Sequence, residues 1–136
     1  MQLNEYHLNG ISIESIGSFN NKRDSIDMRL GVEHELAKIA GDAEFYLVRL
    51  DVSFEPIEDN SAPYRGSVSG QALFSFPDME EEERDIYLMY NGTSILYGLL
   101  RAQVVQVTAQ CKDGKMLLPA FDFINYFSGQ DSPDGE

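Results

Sequence analysis

From Ile86 to Cys111 the chain carries a single Lys, Arg, Asp or Glu, Arg101, although the whole sequence has 23 acids, 10 basic residues and a formal net charge of -13. A segment that long without charge must be covered on most sides, and this limits the folds open to the chain. Leu96, Leu99, Leu100, Val104 and Val107 recur three or four positions apart, which is helical spacing. With Asn91 or Thr93 as N-cap and Lys112 and Gly114 as the stop, a helix is expected from Thr93 to Cys111, about 28 Å long at ~1.5 Å per residue. Ile95, Tyr97, Ala102 and Val105 lie off its main stripe, so one sheet does not bury the whole band. The second cover is expected to be another subunit, the alternative being the downstream segment "LLPAFDFINYF".

The first two thirds read as strands. In "YLVRLDVSF" Tyr46, Val48, Leu50, Val52 and Phe54 alternate with Arg49, Asp51 and Ser53, and in "YRGSVSGQALFSF" Val68, Ala72, Phe74 and Phe76 alternate with Ser67, Ser69 and Gln71. The turn formers of "PIEDNSAP" join these into an antiparallel hairpin. Upstream, Ile26, Met28, Leu30, Val32 and Leu36 alternate before a break at "AGDA", which predicts another hairpin with the Tyr46 strand. The opening segment alternates weakly through Leu8, Ile11 and Ile13 and slips phase at Ile16, the pattern of an edge strand, bulge or bend near Gly10 and Gly17. The expected class is therefore α+β: a four-stranded antiparallel sheet, a long apolar helix and a short C-terminal segment. At 136 residues one domain is expected, spanning 1–127, with 128–136 as an acidic disordered tail.

The acidic balance repels phosphate backbones and anionic lipid, so neither nucleic acid nor membrane is an expected partner, whereas a basic protein patch is attracted. One cysteine, no basic start leading into an apolar run and no membrane-length apolar stretch point to the cytoplasm. Chemistry is sparse. "HELAK" at His34 has Lys38 where a zinc protease places its second histidine, and His7 and His34 with Cys111 make too few ligands for a His and Cys metal site. "KDGK" at 112–115 lacks the upstream glycine and following hydroxyl of a phosphate loop, Glu80 to Glu83 is a solvated run or short helix, and Cys111 is structural. No cofactor, metal or catalytic set is expected, and a small-ligand or catalytic domain is the weakest reading.

The segment "SILYGLLRAQVVQVTAQCKDGKMLLPAFDFINYF" resembles the C-terminal half of the SecB family of export chaperones. The matching positions are Ile95, Leu96, Tyr97, Leu100 and Arg101 for the family's helix start, then Leu118, Pro119 and Phe123 for its later "LP-x-N-F" signature. Gly98 stands where a proline is usual and Asp122 where an asparagine is usual; "GISIE" at 10–14 is similar to the family's first-strand "DISFE". The resemblance covers roughly residues 6–127. It implies a dimer of dimers with the long helices sandwiched between sheets, and an interface using Ile11, Ile13, Leu96, Tyr97, Leu100, Val104 and Val107. It also implies ATP-independent binding of unfolded or slowly folding preproteins in apolar grooves, with handover to the translocase motor SecA. Phe54, Tyr64, Phe74 and Phe76 from the sheet, with Phe121, Phe123, Tyr126 and Phe127 from the end segment, are the expected polypeptide-binding residues. Glu14 matches a family acid that docks SecA, whereas Gly10 and Ser67 replace two others. The expected function is a holdase for protein export; the alternative is a protein of the same fold dedicated to one partner, such as the antitoxin of a toxin–antitoxin system or a mobile-element protein.

Overall fold

The apolar residues of the two central strands all turn to one side of a sheet, as their period of two requires. In the computed structural model, which describes residues 1–19, 25–39, 45–76 and 79–131 with side chains through 128, the strands are β1 (Gln2–Ser15), β2 (Met28–Lys38), β3 (Phe45–Pro56) and β4 (Tyr64–Ser75). They form one antiparallel sheet in the order β1-β4-β3-β2, so both expected hairpins are present and β1 crosses over to pair with β4. β1 is an edge strand with register shifts between Leu3 and Glu5 and between Leu8 and Gly10, the second beside the glycine where a bulge was expected. β2, the other edge, pairs with β3 without a shift over its whole length. The "AGDA" break at 40–43 lies outside the described residues.

Val48, Leu50, Val52, Phe54, Val68, Ala72, Phe74 and Phe76 are buried on the inner face. The helix that covers them differs from the expected one at its start. It runs without a break from α1 (Glu81–Tyr87) through a π turn (Leu88–Gly92) into α2 (Thr93–Thr108). Asn91 and Thr93 are therefore interior residues and not N-caps. The true N-terminus falls on the acidic run, where Glu81, Glu82 and Glu83 occupy the first turn and face the positive end of the helix dipole. The Thr93 hydroxyl donates to the Met89 carbonyl at 2.6 Å and the Ser94 hydroxyl to the Tyr90 carbonyl at 2.6 Å, tying the start of α2 back to the π turn.

α2 lies close to the sheet because glycines stand where it crosses. A Cβ on Gly70 would come within 2.8 Å of Leu100, and one on Gly92 would touch Phe74 and Val48 at 3.4 Å. Leu96, Leu100 and Val104 are fully buried there, each such side chain contributing about 1.5–3 kcal/mol of transfer free energy. The helix stops at Thr108, three residues short of Cys111, and the chain reverses through Gly114, whose φ of 81° favours a residue without a Cβ. The Tyr64 hydroxyl fixes this turn, donating to the Gly114 carbonyl at 2.8 Å and accepting from the Asp113 N–H at 3.1 Å. A connector then returns along α2 to α3 (Phe123–Asp131), which takes in the first residues of the segment expected to be tail; 132–136 lie outside the described residues. Among the described residues no helix is long and apolar enough to cross a membrane.

Candidate functional site

Side-chain burial divides the eight expected binding aromatics. Phe54, Tyr64, Phe74 and Phe76 are at most 2 % exposed beneath α2 and the connector, and they belong to the core of the chain. The other four form one continuous cluster, with ring centroids 4.7 Å apart for Phe121 and Phe123, 5.5 Å for Phe121 and Tyr126, and 5.1 Å for Tyr126 and Phe127. Phe123 and Phe127 are buried in it, whereas Phe121 and Tyr126 stay half-exposed. Tyr97 of α2 and Tyr90 of the π turn join from below, at 5.9 Å from Phe123 and 6.0 Å from Phe127.

His34, marked in the sequence only by its broken zinc motif, is a contact of this cluster with the sheet. Its ring packs edge-on against Phe127 at 4.9 Å and Tyr126 at 5.4 Å, and its Nδ1 lies 2.8 Å from the Tyr126 hydroxyl. That hydroxyl also lies 3.2 Å from the Val32 carbonyl; with one hydrogen to give, it donates to Val32 when His34 carries its proton on Nδ1 and to Nδ1 when it does not. Burial lowers the His34 pKa from its ordinary value. No local pattern links positions 34 and 126; the pairing exists because α3, packed on the π turn, carries Tyr126 and Phe127 to His34 of β2.

Beyond Tyr126 and Phe127 the same two elements, β2 and the π turn, continue as an open cleft of about 390 Å³ lined by Leu36, Tyr46, Leu88 and Met89. Lys38 and Glu81 approach to 3.7 Å at its rim. The Tyr46 hydroxyl is buried without a hydrogen-bond partner among the described residues.

Arg101, the one charge of its segment, has a carbonyl for a partner. Its Nε and Nη2 donate to the Leu118 oxygen at 2.9 and 2.7 Å, while the neighbouring Tyr97 hydroxyl donates to the Pro119 oxygen at 2.5 Å. Desolvation pushes the Tyr97 pKa up to about 12, against the opposing charge of Arg101. These bonds bring the "LLP" connector onto α2, so the chain itself provides part of the second cover. Leu96, Tyr97, Leu100 and Val104, expected at an oligomer interface, are 0–4 % exposed within one chain; Ile11, Ile13 and Val107 are half-buried. The exposed residues of α2 are Ser94, Ile95, Gly98, Ala102 and Gln106, flanked by half-buried Leu99 and Val105.

The outer face of the sheet is polar. Ser12, Ser67, Ser53 and Gly31 align across all four strands as its lowest row, within two shallow hollows of about 450 and 410 Å³. Glu14 stands opposite Arg65, and Arg29 donates to Glu55 at 3.0 Å, along one side of that row. Among the described residues no group of three or more His, Cys, Asp or Glu side chains is placed to hold a metal ion.

No family model matches the sequence, and no curated protein matches it. Solved structures do resemble it. The Mycobacterium tuberculosis Rv1957 SecB-like chaperone, determined in complex with a ChAD peptide from the Rv1956 HigA1 antitoxin, superposes with a TM-score of 0.67 at 17% identity, covering 89% of this chain and 90% of that one. A Streptococcus agalactiae protein of unknown function gives a TM-score of 0.45 at 14% identity, covering 87% of this chain and 95% of that one. The fold of the chain is SecB-like: a four-stranded antiparallel sheet, a long helix and a short one.

Proposed function

We propose that this chain is an ATP-independent chaperone of the SecB-like kind, a holdase that takes up unfolded or slowly folding polypeptides on apolar surface in the cytoplasm. The observation that carries the reading is the fold shared with the Rv1957 SecB-like chaperone over nearly the whole chain. The local surface supports it: half-exposed Phe121 and Tyr126 adjoin an open apolar cleft, and a surface of this kind accepts clients that have only unburied hydrophobic side chains in common. Of the buried aromatics, Phe76 packs edge-on against Tyr46 of the cleft at 5.6 Å and Phe127 against Tyr90 of the π turn at 6.0 Å. The test is suppression of aggregation of an unfolded client at stoichiometric ratio, and absence of suppression rejects the reading.

A second reading, service to one partner such as an antitoxin, is favoured by the outer face. Glu14 is present there, but Gly10 and Ser67 leave the acidic set for SecA incomplete, and the Rv1957 structure holds an antitoxin peptide. Pull-down separates the two, many unrelated clients supporting export and a single stoichiometric partner supporting dedication. Assembly as a dimer of dimers would cover the apolar face of α2 left open at Ile95, Gly98 and Ala102. Light scattering across a dilution series for wild type and Ile95→Glu tests this; a wild-type monomer rejects it.

A further inference from the structure

We propose that the outer face of the sheet docks a second copy of this chain, about a two-fold axis that runs parallel to the strands between β3 and β4. This pairing goes beyond the holdase reading and leaves the apolar cleft free on the opposite side of the sheet.

The charge pattern of the face is self-complementary. Residues in register across the strands form rows, and one row reads Glu14, Arg65, Glu55, Arg29 from β1 to β2. Glu55 and Arg65 follow the Phe54–Gly66 pair in line and border one hollow. The signs of this row alternate, so the row turned end for end by the axis presents each charge with its opposite. Glu14 faces the partner's Arg29 and Arg65 faces the partner's Glu55, and the symmetry repeats both contacts.

The other rows obey the same rule. Ser69 meets the partner's Asp51 and Gln71 meets the partner's Arg49, each a match of donor and acceptor. Leu73 meets the partner's Leu47, and both are only half-buried within one chain. Glu33 meets the partner's Gly10, Glu35 the partner's His7 and Glu5 the partner's Ala37, so no acid of these rows faces an acid. A two-fold axis across the strands would instead set Glu14 against the partner's Glu5 and Glu33 against the partner's Glu33. One orientation is therefore selected. Between the charged rows, Ser67 and Ser53 carry no long side chain and lie within the hollows, which lets two sheets approach to the ~10 Å of face-to-face packing.

Two magnitudes set the strength of this contact. Four strands at ~4.8 Å, over a length from Leu47 to Glu55 at ~3.4 Å per residue, give a footprint of about 600 Å². That is below the ~800 Å² per partner of a standard complex and points to a Kd in the micromolar range. The net charge of -13 opposes association at long range, but at physiological salt the Debye length of ~8 Å screens charges outside the contact more than pairs facing each other within it.

The experiment is sedimentation equilibrium of the full chain at physiological salt, in an Ile95→Glu background so that pairing through α2 does not contribute, with circular dichroism to verify the fold. The background protein should dimerise at micromolar concentration. Glu14→Arg and Arg29→Glu should each weaken the dimer about tenfold, since each turns two facing attractions into repulsions. Both substitutions in one chain should recover most of that loss. Net charge alone predicts otherwise: Glu14→Arg makes the chain less negative and would tighten association. A folded monomer at every concentration, a Glu14→Arg dimer as tight as the background, or no recovery in the double variant would overturn the proposal. Aggregation suppression should be unchanged in Arg29→Glu, and its absence from wild type rejects the holdase reading without bearing on the outer face.

Discussion

Arg101→Met removes a guanidinium and keeps most of its aliphatic stem. The two nitrogens of Arg101 share one acceptor, the carbonyl of Leu118, a residue whose side chain is fully buried. A hydrogen bond from a charged donor contributes about 1.5–3 kcal/mol, and a half-exposed guanidinium belongs in the lower part of that range. The expected loss is on the order of 2 kcal/mol, much of it from leaving the Leu118 carbonyl without a partner. At ~2.1 cal/mol/K of unfolding entropy per residue, this lowers Tm by roughly 7 °C, as read by calorimetry or far-UV circular dichroism. Coupling sharpens the test. Tyr97→Phe removes the neighbouring bond to Pro119, and if both bonds hold the same connector the double variant should lose less than the sum of the singles. A loss below about 0.5 kcal/mol for Arg101→Met would mean that apolar packing alone retains the connector, and the account of the lone charge would be wrong.

Thr108→Val should cost about 1–3 kcal/mol, because it leaves the buried Met116 N–H without its 2.9 Å acceptor; urea unfolding should show a lower midpoint with an unchanged m value. The Tyr97 phenol, raised to about 12, should stay protonated in the folded protein while an unfolded tyrosine ionises near pH ~10, so this contribution to stability is complete below that pH and is lost as pH rises towards about 12; absorbance titration against chemical unfolding reads both limits. Two glycine replacements should move in opposite directions. Gly66→Ala places a Cβ 2.0 Å from the Ser12 carbonyl and should lose more than about 2 kcal/mol by forcing β1 away from β4, whereas Gly98→Ala meets open space on a helix surface and should gain about 0.5–1 kcal/mol in thermal unfolding.

Much of this architecture is local in origin and was legible. Alternation at Tyr46 to Phe54 and Val68 to Phe76 assigned side chains to the two faces of the sheet, because the pleat turns every second residue the same way whatever lies above it. The near-absence of charge from 86 to 111, broken only by Arg101, with spacing of three and four, marked the covering helix for the same kind of reason. Its start was misplaced because an Asn-Gly-Thr stretch signals a cap and a run of glutamates signals solvent, while the π turn lets one helix take in both.

What the tertiary structure alone decided are relations between distant positions. Local pattern reads the same for a fully buried aromatic and for a half-exposed one, so only the packing of the helices on the sheet could separate Phe74 from Tyr126. Leu96, Leu100 and Val104 turn to the sheet while Ile95 and Ala102 stay open, and since both stripes are apolar this orientation is set by where Gly70 and Gly92 admit the helix. Arg101 found its acceptor in the connector, and His34 met Tyr126 because α3 packs on the π turn within side-chain reach of β2. Such contacts depend on the path of the chain between them, to which the local periods of the sequence are indifferent.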